Sequence, residues 1–171
     1  MGGMVRRQRG FTIVELMITV AIIAVLAVVV VPQFTRESRK VKSEPEVSAM
    51  FAEIATRQEQ YKIENGQYLT LAACPSSTTP AGSPATECTD NTDWIALRLN
   101  PPQSTLRCIY EAVAGTKDDD ESNPGGFTWT APDASWWYVI ATCDGDGQSA
   151  TNATFFTASS DTKLQKRNEG N

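Results

Sequence analysis

Residues 9–32 read RGFTIVELMITVAIIAVLAVVVVP: a basic residue, a glycine, an aromatic residue, then an apolar run interrupted by one charge, Glu15. As a helix, the twenty-one residues 11–31 rise roughly 31 Å, about the thickness of a bilayer's hydrocarbon core. Arg6, Arg7 and Arg9 precede the run with no acid among them. A cationic flank stays on the cytoplasmic side, so the chain beyond the run is expected to face outward.

The rest of the chain has a different character. It is polar and rich in Ser, Thr, Asn, Asp and Pro, so a membrane-length segment is fused to a soluble domain. The formal net charge of the 171 residues is −5, and beyond the three N-terminal arginines 12 basic residues face 20 acidic ones. That balance disfavours direct nucleic-acid binding. Cys74, Cys88, Cys108 and Cys143 all fall in the outward part, where disulfides persist. Histidine is absent, which removes the usual general base and the commonest metal ligand. No nucleophile–base pair, phosphate-binding glycine motif or metal cluster stands out, so an enzyme is not expected.

Helical periodicity continues over residues 33–65, where Val47, Met50, Phe51, Ile54 and Tyr61 recur at steps of three, four and seven. Asn65-Gly66 closes the pattern. A helix over residues 11–65 would be about 80 Å long, so its second half needs something to pack on. Residues 71–93 are rich in Pro, Ser, Thr and Gly and read as a loop closed by cysteines. Strand character comes next at 94–99, 106–114, 135–142, 154–158 and weakly at 163–166, with turn chemistry between. The expected fold is α+β, with a small antiparallel sheet on the C-terminal half of a long helix. The expected organisation is a leader at 1–10, a transmembrane or filament-core half at 11–32, an amphipathic half at 33–66 and a sheet domain at 67–171.

The motif Arg9-Gly10-Phe11-Thr12-Ile13-Val14-Glu15-Leu16, its apolar run and Pro32 resemble the class III signal of type IV pilins and of type II secretion pseudopilins. The resemblance implies the pilin fold, cleavage after Gly10 by a prepilin peptidase, and methylation of the new amino terminus at Phe11. Gly10 offers no side chain to obstruct a protease, whereas an ordinary secretory signal would be cut after the apolar run. An inner-membrane precursor would then become part of an extracellular filament, either with copies of itself or with other pilins. Adhesion, twitching motility, DNA uptake and secretion are the tasks such filaments serve. A minor pilin or pseudopilin is the near alternative, and a solitary membrane-anchored binding domain the distant one.

Within this frame Glu15 needs a partner, because an acid in a lipid-facing helix costs about 2.5 to 3.5 kcal/mol near the centre and less toward the end. It can pair with the Phe11 amine of its own helix. The family implies instead the amine of a neighbouring subunit, which would set the filament's register. Pro32 is expected to kink or open the helix, as the family's proline does, and Pro45 is a further break candidate.

Four cysteines allow three pairings. Cys74 with Cys88 would close the Pro-rich loop and Cys108 with Cys143 would join two strands, which is the preferred arrangement although spacing alone does not choose. Zinc lacks both CxxC spacing and histidine. No cofactor is required, but Asp144-Gly145-Asp146-Gly147 resembles the opening of a calcium loop, with Asp144 and Asp146 as ligands, as well as an ordinary hairpin turn. The acidic run 118–121 reads as a solvated loop tip or a partner contact. Strand alternation puts Trp136 and Tyr138 on one face and Trp137 on the other, so an exposed ring is expected on one of them. Asn152-Ala153-Thr154 is a glycosylation sequon.

Overall fold

The computed structural model describes residues 11–77, 81–144 and 152–168, with only the backbone described at 29–42. Two compact units divide the chain, Met1–Arg36 and Glu37–Asn171. Helix α1, Ile13–Asn65, begins in the first and ends in the second, and helical backbone continues through both Pro32 and Pro45.

Over residues 13–28, apart from Glu15 and Thr19, the helix is apolar on every side. Ile13, Val14, Leu16, Met17, Ile18, Val20, Ile22, Ile23, Val25, Leu26 and Val28 are all more than half exposed. A helix with no polar face is one that lipid or other protein surrounds. Among the described residues no helix is long and apolar enough to cross a membrane. The apolar sequence itself runs on past Val28, the last of its residues whose side chain is described.

In the second unit one stripe of α1 is buried: Ser43, Glu46, Val47, Met50, Phe51, Ile54 and Gln58. These steps of three and four keep the stripe on one face. The helix ends at Gly66, whose φ of +78° is the left-handed conformation that a helix C-terminus favours and glycine adopts without strain. Its N–H donates to the Lys62 carbonyl at 2.7 Å.

The chain continues as β1 (Leu71–Cys74), β2 (Ser83–Pro84), α2 (Thr86–Thr89), α3 (Thr92–Ala96), β3 (Thr105–Leu106), β4 (Cys108–Gly115), β5 (Trp136–Cys143), β6 (Ala153–Ala158) and β7 (Asp161–Arg167). Five of the strands form one antiparallel sheet in the order β1-β4-β5-β6-β7, and β2 pairs with β3 alone. Period-2 alternation gives the sheet two apolar faces. Tyr110, Ala112, Trp137, Val139, Ala141 and Phe155 join the buried helix stripe in one core. Trp136, Tyr138, Phe156 and Ala158 point the other way, into a second core with Phe127 and Trp129. The second unit therefore has three layers: helix, sheet, and the 121–131 segment.

Three expectations change. Residues 94–99 are not a strand, because α3 occupies Thr92–Ala96. Segment 71–93 is not all loop, since it contains β1, β2 and α2. No tryptophan ring is exposed: Trp94, Trp129, Trp136 and Trp137 are all buried, and so is Tyr138. The second core explains this, because the segment after the acidic run folds back over the face expected to meet solvent. Residues 118–120 are exposed.

Candidate assembly site

The helix starts at a cap. Thr12 Oγ1 accepts the Glu15 N–H at 3.2 Å, and the Leu16 N–H donates to the Thr12 carbonyl at 3.2 Å. A Thr followed three residues on by Glu is the sequence signature of a capping box. That signature is written in the sequence itself, at Thr12 and Glu15. Phe11 lies outside the helix and is 80% exposed. Glu15 is exposed in the helix's first turn, where the dipole favours an acid. Its carboxylate has no partner among the described residues. Gly10, the expected cleavage residue, lies outside the described residues, as does the side chain of Pro32.

Separately, within Glu37–Asn171, buried side chains fasten the helix to the sheet. Glu46 is fully buried. Its Oε1 accepts the N–H of Arg107 at 2.8 Å, the N–H of Cys108 at 3.3 Å and the hydroxyl of Tyr110 at 3.1 Å. The Tyr110 hydroxyl is held far above its usual range, first by burial and then by the Glu46 charge and hydrogen bond. Three turns on, Gln58 Nε2 donates to the Leu69 carbonyl at 2.5 Å and its Oε1 accepts the Leu69 N–H at 3.0 Å. Glu46 and Gln58 thus satisfy buried and half-buried backbone at the entry to β4 and on the segment leading into β1. Both occupy positions on the apolar stripe, and a polar residue in such a stripe was the signal available for them. At the rim, Lys166 of β7 pairs with Glu44 at 2.5 Å.

Disulfides lock the rest. Cys74–Cys88 joins β1 to α2, and Cys108–Cys143 links directly opposed residues of β4 and β5. Asp144 comes directly after Cys143 at the end of β5 and is 8% exposed. Asp146 lies outside the described residues. Among the described residues no group of three or more His, Cys, Asp or Glu is placed to hold a metal.

The comparisons with known proteins agree with this geometry. The family model for the prokaryotic N-terminal methylation motif matches residues 5–31. Type II secretion system core protein G of Dickeya chrysanthemi is 39% identical over 144 residues, covering 80% of this chain and 90% of that one. The type IV wide pilus major component PilA4 of Thermus thermophilus is 36% identical over 80 residues, 47% of this chain and 60% of its own length. Core protein G of Escherichia coli is 38% identical over 64 residues, or 37% and 43%. No solved structure matches the chain. A methylation motif, a helix apolar all round, and relatives among secretion and pilus subunits together place the fold: this chain belongs to the type IV pilin and type II secretion pseudopilin family.

Proposed function

We propose that the chain is a structural subunit of a type IV pilus-like filament, cleaved after Gly10 by a prepilin peptidase, methylated at Phe11 and assembled through its N-terminal helix. The observation that carries this reading is the helix of the first unit, apolar on every side and bearing a lone carboxylate with no partner among the described residues. Water is a poor environment for that surface. As a precursor it inserts in the inner membrane as a single span with Arg6, Arg7 and Arg9 cytoplasmic. As a filament subunit it packs against other pilin helices while the sheet domain faces outward, outside the cell. Glu15 then pairs with the Phe11 amine of a neighbouring subunit, and Pro32 is the place where the helix opens. The subunit acts as a building element rather than a catalyst, and its acidic sheet domain does not bind nucleic acid directly.

A secretion pseudopilus is the specific form with most support. The match to a core protein G runs over 144 residues and so reaches well beyond the N-terminal helix, whereas the match to a pilus component covers 80.

Mass spectrometry of filaments sheared from cells tests the reading. The expected species begins at Phe11 and carries one extra methyl group. A membrane-bound species that retains Arg9-Gly10 would overturn it. Calcium is proposed at the sequence Asp144-Gly145-Asp146, where the carboxylate of Asp144 stands at the end of β5 and a second follows two residues on in sequence, as suits an oxygen-ligated cation. Calorimetry with calcium on the full chain in detergent should give heat and a higher melting temperature. No heat and no shift would remove the metal.

A further inference from the structure

The second aromatic core is covered by one short segment with unusual fastenings. Residues 121–131 close on themselves: Ser122 bridges Thr130, the Asn123 N–H donates to the Trp129 carbonyl at 2.7 Å, and the Ala131 N–H to the Glu121 carbonyl at 2.8 Å. Left-handed backbone at Asn123, Gly125 and Gly126 turns the tip. The segment is thus a flap with its own internal bonding. Its inner side carries Phe127 and Trp129. Phe127 stacks on Phe156 at 5.2 Å, and Trp129 meets Trp136 at 5.5 Å and Tyr138 at 5.6 Å.

Among the described residues, the flap's hydrogen bonds to the rest of the chain all end on the last hairpin. Arg167 Nη1 donates to the Gly125 carbonyl at 2.8 Å, and its guanidinium lies 5.7 Å from the centre of the Phe127 ring. Gln165 Nε2 donates to the Thr128 carbonyl at 3.4 Å, and Trp129 Nε1 to Ser160 Oγ at 2.9 Å. None reaches β4 or β5, the middle of the sheet. Arg167 and Gln165 sit on β7, an edge strand with a single neighbour, β6. Such bonds at an exposed edge are individually modest.

We propose that the 121–131 flap is a separately opening cover, latched by Arg167, whose release bares the Trp136, Tyr138 and Phe156 face while the helix–sheet core stays closed. A closed flap with internal bonds, few external ones and its own apolar cluster is the structure expected of a local opening unit. Arg167 is the latch because it provides the shortest of the external bonds and also covers a flap ring. A Cβ at Gly126 would come within 2.0 Å of Arg167 Nη1, the flexible end of that side chain, and would push the guanidinium aside.

The four tryptophans report on the two cores separately, Trp94 and Trp137 on the helix side and Trp129 and Trp136 under the flap. The test is hydrogen exchange at the indole N–H groups, resolved by NMR on the full chain in detergent. Arg167→Ala should speed exchange at Trp129 about tenfold or more and leave Trp94 and Trp137 within about twofold. Gly126→Ala, which pushes the guanidinium aside and also strains the flap at a φ of +78°, should give the same pattern with Arg167 still present. Equal acceleration at all four indoles, or none at Trp129 in either variant, overturns the proposal. It concerns only the Glu37–Asn171 unit, so its failure leaves the filament reading intact.

Discussion

Glu46 shows how one residue can hold two layers together. Its carboxylate is fully buried and one oxygen accepts three hydrogen bonds, two from backbone at the start of β4 and one from Tyr110. Removing an acceptor leaves donors that cannot reach water, and each such buried group costs about 1–3 kcal/mol. Glu46→Ala is therefore expected to destabilise the chain by roughly 3 kcal/mol or more, and Glu46→Gln, which keeps an oxygen in place, by clearly less. Thermal unfolding of the full chain in detergent, followed by near-ultraviolet circular dichroism, checks this. Equal melting temperatures for the two variants would show that the hydrogen bonds do not carry the effect. The apolar positions around Glu46 were legible in the sequence, because Val47, Met50, Phe51 and Ile54 recur at helical steps. A polar residue in that stripe marks Glu46 as unusual but does not say what it binds, since its three partners lie 61 to 64 residues away and no local pattern announces them.

At the scale of elements, strands with strict alternation were readable. β4, β5 and β6 send successive residues to opposite faces, so period-2 alternation alone separates Trp136 from Trp137. The run at 94–99 misled for a physical reason. Its apolar residues form a short, nearly continuous run that a strand or a helix can equally carry, but Trp94 and Leu97 are buried while Ile95 is 59% exposed, the spacing of a helical turn. The deciding signal lies just upstream, where the Asn91 side chain accepts the Asp93 N–H at 2.9 Å and caps α3. The flap over the second core was not legible at all, because its burial comes from β5 and β6 rings and β7 side chains that no local pattern pairs with it.

The same elements set an alkaline limit. Tyr110 of β4, Tyr138 of β5 and Tyr68, just beyond α1, all have hydroxyls raised above their ordinary value, in each case chiefly by burial. A raised group contributes stability that is fully present below its unfolded value, about pH 10 for tyrosine, and that is lost as pH rises toward the folded value. The melting temperature should therefore be insensitive to these groups below about pH 10 and fall above it. Tyr110→Phe should flatten the fall at the expense of some stability at neutral pH. An unchanged alkaline slope in that variant would show that Tyr110 does not contribute.

For the molecule as a whole, the unanswered demand is the apolar helix with a single acid. Parallel copies can bury that helix, and a head-to-tail contact that does not close yields a filament rather than a dimer. In such a core Glu15 is tolerable only with a cation beside it, and the Phe11 amine exposed by cleavage is the cation the proposal supplies. Glu15→Val should then be inserted, cleaved and methylated normally but yield few sheared filaments when expressed alone. Filaments at the normal level would remove the register role. Co-expression separates the two possible pairings. If the carboxylate pairs across subunits, the variant's own amine can still meet a wild-type neighbour's Glu15, so the variant should enter wild-type filaments. If the carboxylate pairs within its own helix, the variant's helix lacks its pair whatever its neighbours are, and it should be excluded. Thr12→Val is the control, because it removes the cap on the Glu15 N–H and leaves both charges in place. A defect in Thr12→Val equal to that of Glu15→Val would assign the effect to the helix start rather than to the ion pair.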